Sequence, residues 1–173
     1  ISSVPSLRLV PGFAVDLTCI DPESKQIKAL ELVRTQKPAM LIGSPVCAAR
    51  CSLQALNVVK RDSAVVAPDV EKARMHLKFV ISLYRGQVDG GRMFLHGHPE
   101  SSNWWPEGMV KDLLSAVGGG RVVGGQGQYG AEGIVGQYRG CPIRQSIGFL
   151  SNAPGVLDSL RRRCAGKLGR CSR

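Results

Sequence analysis

Three residues in this chain have side chains able to make and break bonds at neutral pH and stand at the ends of predicted strands. Leu41 to Asn57 read LIGSPVCAARCSLQALN, so Cys47 follows a bare apolar run and a Ser-Pro turn. In an open α/β sheet the strand-to-helix turn at the carboxyl edge presents reacting side chains. A helix opening just after Cys47 would favour its thiolate, the form that attacks; packed as a small hydrophobe, the same residue is inert. His96 and His98 flank Gly97 in the run RMFLHGHP. On a strand both imidazoles point to one face, where either could act as the base for a thiol. No cysteine pair has C-x-x-C spacing, and Cys47 and Cys51 are four residues apart, so no metal site is expected. Gly125 to Gly130, GQGQYG, fits G-x-G-x-x-G, but the following AEGIVGQYRG is broken by glycines where a dinucleotide site needs a helix. It reads as a loop.

A second group of residues suits binding. Trp104 and Trp105 are adjacent, so one ring is expected on the sheet and the other partly exposed, where it could stack on a base. Arg161, Arg162, Arg163 and Lys167 form a basic end that reads either as a solvated helix terminus or as a phosphate-binding tail. The net charge of +10 over 173 residues favours an anionic partner, with nucleic acid first. With 43% hydrophobic residues the chain is globular, not disordered. Six cysteines need not form bridges at this size, and no leader pattern precedes them, so a reduced intracellular setting, cytoplasmic or nuclear, is expected. No apolar run approaches the ~20 residues that span a bilayer, so no membrane partner is expected. The oligomeric state is not legible.

The elements that must position these residues alternate. Phe13 to Thr18 reads as a strand; Asp21-Pro22-Glu23 starts a helix, and Lys37-Pro38 stops it. Ala39 to Gly43 reads as a buried strand. Val66, Val70, Ala73, Leu77, Val80 and Tyr84 recur at helical spacing up to Gly90-Gly91. Arg92 to His96 reads as a strand leaving through His98-Pro99. A helix over Met109 to Val117, strands at Val122-Val123 and Ser146 to Leu150, and a helix over Ala153 to Cys164 complete the series. Alternation predicts an α/β fold with a doubly wound, mainly parallel sheet as one domain over 1–160, with a basic tail over 161–173.

Ser44-Pro45-Val46-Cys47 resembles the S-P-P-C-T-x-F-S segment of a methyltransferase-like domain of retrotransposon polyproteins and related multi-copy open reading frames, itself similar to the P-C-Q motif of cytosine-5 DNA methyltransferases. Further segments fall in the family's order, among them LRLVPGFAVDLT, GRMFLHGHPESSNWW, FLSN and RRRCAGKLGRCSR. The resemblance implies a three-layer Rossmann-like sheet, S-adenosylmethionine as cofactor, and Cys47 as the thiolate that adds to carbon 6 of a flipped-out pyrimidine, with a carboxylate on the next strand assisting. It places Asp16, Asp21, Ser44 and Pro45 at the cofactor. The departures are specific. The family's H-E-H-P is His96-Gly97-His98-Pro99 here, its D-Q-C is replaced near Gly124-Gln126-Gly127, and its first strand with the cofactor loop is missing. The resemblance therefore implies a degenerate, inactive copy that keeps a basic surface for nucleic acid. The alternative is a working transferase or other thiol enzyme using Cys47 with His96 or His98.

Overall fold

The computed structural model of the chain describes residues 12–17, 22–45, 63–136, 139–143 and 145–163. The chain divides into two units, Ile1–Ala39 and Met40–Arg173. In the first, helix α1 runs over Pro22–Gln36, with Glu23 in its first turn. Proline is preset for the first helical position, and an acid there complements the exposed N–H groups. The Lys37 N–H donates to the Val33 carbonyl at 3.2 Å, Lys37 takes a left-handed φ of 43°, and Pro38 follows. The apolar run before α1, expected as a strand over 13–18, is irregular over its described residues 13–17, and Phe13 is 72% exposed. A short apolar run becomes a strand only when another strand pairs with it, and none of the described strands does.

The second unit runs β1 (Met40–Gly43), α2 (Ser63–Asp89), β2 (Met93–Pro99), α3 (Gly108–Ala116), β3 (Gly120–Gly125), a 3-10 turn (Gln126–Tyr129), β4 (Ser146–Ser151) and α4 (Pro154–Ser159). The strands form one sheet in the order β1-β2-β4-β3. β1 and β2 are parallel, whereas β4 is antiparallel to both of its neighbours. The described sheet is therefore α/β but mixed, not mainly parallel. The connection explains the difference. From β1 to β2 the chain crosses over through α2, as a parallel pair requires. After β3 the 3-10 turn is followed by a loop bridged at Glu132 to Pro142 and Gly133 to Arg139, which returns the chain in reverse.

α2 buries Leu77, Val80, Ile81 and Tyr84, three and four residues apart, against one face of the sheet. On that face β2 presents alternate buried residues, Phe94, His96 and His98. Burying apolar side chains of this size stabilises the fold by about 1.5–3 kcal/mol each. Where α2 ends, the Gly91 N–H donates to Val88 and the Arg92 N–H to the Gln87 carbonyl at 2.8 Å, turning the chain into β2. The Gln87 side chain, fully buried, donates to the Met93 carbonyl and accepts from Arg92 Nε at 2.7 Å. α3 packs on α2 through its buried Val110 and Leu113 side.

α4 lies against β3 and β4 on the opposite face, Leu157 meeting the sheet at Gly120. The expected helix over Ala153 to Cys164 stops at Ser159. Its continuation is diverted along β3. Tyr129 Oη donates to the Leu160 carbonyl at 2.6 Å, and the Gly125 N–H donates to the Arg162 carbonyl at 2.8 Å. The Arg162 N–H, which a further helical turn would direct to the Asp158 carbonyl, donates instead to Tyr129 Oη at 3.4 Å.

Candidate functional site

The carboxyl edges of β1 and β2 lie side by side, with Gly43 in register with His96. Ser44, exposed, and Pro45, buried, leave β1 at this edge. Gly97 is one position past the last β1 partner. It was expected beyond the end of its strand, but β2 continues through His98 and Pro99 because β4 supplies partners: Gly97 pairs with Phe149 and His98 with Gly148. A β-carbon at Gly97 would stand 3.6 Å from the Phe149 ring and 4.0 Å from Ile147, on the sheet face opposite the two histidines.

On the α2 face the sequence-predicted histidines meet two partners. The His96 and His98 rings are nearly parallel, centroids 5.4 Å apart, and both stand edge-on to Trp105. They are 2% and 1% exposed. The Tyr84 hydroxyl shares a hydrogen bond with His96 Nδ1 at 3.2 Å, and the Tyr84 ring stacks on Phe94. Tyr84 reaches this point because Gly43 has no side chain; a β-carbon there would collide with its hydroxyl. Burial, together with the neighbouring His98 charge, pushes His96 down to about 3. Burial alone pushes His98 down to about 4, and burial raises Tyr84 above its usual 10.0. All three are therefore neutral at pH 7. Neither ring nitrogen of His98 has a hydrogen-bond partner among the described residues. Among those residues no group of three or more histidine, cysteine or acidic side chains is placed to hold a metal.

The expected division of the two tryptophans, one ring on the sheet and the other partly exposed, is not found. Trp104 is 2% exposed and Trp105 is half-buried. The half-buried ring is the one on the sheet: it covers Gly148, and its Nε1–H donates to the Pro99 carbonyl at 2.8 Å. The Arg121 guanidinium lies over the same indole, 4.1 Å from its centroid. Trp105 therefore offers no free face for a base on the Arg121 side, and Trp104 offers none.

Arg161, Arg162 and Arg163 are exposed. Arg161 pairs with Asp158 at 3.6 Å and Arg163 with Glu100 at 3.8 Å. Asp16 is exposed in the irregular segment of the first unit. Cys47, Asp21 and Lys167 lie outside the described residues. At the β1 edge, residues 40–45 include no carboxylate to hold a ribose or an adenine.

The structure thus brings His96 and His98 together with Trp105, and Arg161 with Arg163. Two participants were not singled out from sequence. Tyr84 was legible only as the last step of the α2 stripe, and Arg121 carried no local signal, because its partner Trp105 comes from another element. No protein-family model, curated protein or solved structure matches the chain, and no described helix is long and apolar enough to cross a membrane.

Proposed function

We propose that this chain is a degenerate methyltransferase-like domain of mobile-element origin, without methyl-transfer activity, that keeps its sheet as a scaffold for binding nucleic acid. The observation that carries this reading is the paired edge of β1 and β2. The strand that leads through Ser44-Pro45 to Cys47 is the parallel neighbour of the strand bearing His96-Gly97-His98. That is the adjacency the family resemblance requires of its thiol and its acid. The acid's position is Gly97, which can neither hold nor protonate a pyrimidine.

The alternative, a thiol enzyme with His96 or His98 as base, is weakened by the same geometry. Imidazoles buried and pushed down to about 3 and 4 accept a proton poorly at neutral pH. His96 also shares Nδ1 with Tyr84.

Titration calorimetry separates the readings. The full chain should give no saturable heat with S-adenosylmethionine and a saturable, salt-sensitive heat with a mixed-sequence single-stranded oligonucleotide. Saturable cofactor binding would overturn the degenerate reading; absence of oligonucleotide binding at low salt would overturn the nucleic-acid reading.

A further inference from the structure

The geometry points to a specific nucleic-acid site: the cleft along the outer edge of β3, lined by Arg121, Arg161 and Arg163, takes the sugar-phosphate backbone of a single strand. This inference rests on the nucleic-acid reading above and gives it a place and a principal residue, Arg121.

The depression, about 440 Å³ and open to solvent, is lined by those three arginines with Val122 and Val123. Three guanidinium groups from two separate segments line one concavity. Each presents a planar fork of N–H donors that matches phosphate oxygens. The acids nearby hold two of them loosely. Asp158 and Glu100 stand 3.6 and 3.8 Å from Arg161 and Arg163, and all four side chains are at least 42% exposed. Exposed pairs at such distances are worth little, so a phosphate can replace the carboxylates.

Arg121 is the ordered member. Its guanidinium rests on Trp105, and Trp105 is itself fixed by its bond to the Pro99 carbonyl and by its seat on Gly148. An arginine held in this way loses less freedom on binding than one free in solvent.

The strand edge adds neutral donors. Among the described strands, β3 pairs with β4 alone. The Gly125 N–H points away from β4, donating to the Arg162 carbonyl. Antiparallel pairing alternates, so the N–H groups of Val123 and Arg121 turn the same way, toward the edge. An extended, repeating anion laid along the edge would meet cationic forks and outward N–H groups together.

The test compares two triple variants of the full chain that lose equal charge. R121Q/R161Q/R163Q empties the cleft, and K25Q/K28Q/R34Q removes three cations from α1. Affinity for a labelled mixed-sequence single strand is read by fluorescence anisotropy over a range of salt. Each neutralised phosphate of a single strand contributes about −0.7 to the slope of log affinity against log salt, so the cleft variant should be shallower by about 2 and bind roughly tenfold or more weakly at low salt. The α1 variant should keep a slope close to the parent's. R161Q/R163Q, which changes only exposed side chains, should show an intermediate loss and guards against misfolding of the triple variant. Equal effects of the two triple variants, or no effect of the cleft variant, would overturn the site while leaving nucleic-acid binding in place. No binding by the parent chain would remove both. Loss of binding to phosphatidylserine vesicles, with oligonucleotide affinity intact, would also overturn it.

Discussion

The Tyr84 hydroxyl and His96 Nδ1 lie 3.2 Å apart in the layer between α2 and β2, with both side chains at most 2% exposed. The bond ties the crossover helix to the strand beside β1. Tyr84→Phe deletes the hydroxyl and leaves a buried ring nitrogen without its partner, which costs about 1–3 kcal/mol. Urea unfolding should show the midpoint falling with an unchanged slope; an unaltered midpoint would mean that the bond does not form in solution.

Acid should weaken the fold through the same two rings. In the unfolded chain both histidines take up protons from about pH 6.5, whereas the fold keeps them neutral until about 3 for His96 and about 4 for His98. Their folded values are depressed, so stability is full above pH 6.5 and falls as pH drops through the window down to 4 and 3. The loss between pH 7 and pH 5 should reach about 2 kcal/mol or more, read from urea midpoints. His98→Leu should remove part of this slope without loss of stability at pH 7, because among the described residues neither His98 nitrogen has a partner to lose. A flat pH profile in the parent would contradict the buried pair.

Gly148 gives Trp105 its seat. A β-carbon there would lie 2.5 Å from the indole Cζ2 and 3.2 Å from Arg121 Nε. Gly148→Ala should cost about 1–3 kcal/mol by overpacking and shift Trp105 emission to the red as the ring is displaced. Unchanged emission with unchanged stability would place the indole elsewhere.

These contacts mark what the sequence could and could not disclose. The α2 stripe, the turn at Gly90-Gly91, and both apolar runs that became β1 and β2 were legible because each depends on local spacing or on a local turn signal. The length of β2 was not, because Gly97, His98 and Pro99 remain in the strand only through pairing with Phe149, Gly148 and Ile147, some fifty residues away. The direction of β4 was hidden for the same reason. α4 ends early because the Arg162 N–H donates to Tyr129 Oη rather than back to Asp158, a competition invisible in its own segment. The histidines were legible as a same-face pair; their hydrogen-bond partner and the arginine over Trp105 were not, since both contacts join separate elements.

A β-carbon fits at Gly97. Its β-carbon position has ordinary van der Waals distances to Phe149 and Ile147, and the residue is partly exposed. Gly97→Glu should therefore change stability by no more than about 1 kcal/mol, with circular dichroism unaltered. A collapse of the fold would mean that this face is closed, and that the position could never have carried the acid.

The central claim is that the scaffold survives without the chemistry. Transfer of a labelled methyl group from S-adenosylmethionine to cytosine-containing single strands and duplexes, with the unmodified full chain, tests it most directly. The account predicts no label on nucleic acid above the protein-free control, in a preparation that still retains the oligonucleotide. Incorporation that depends on the chain and disappears in Cys47→Ser would contradict it.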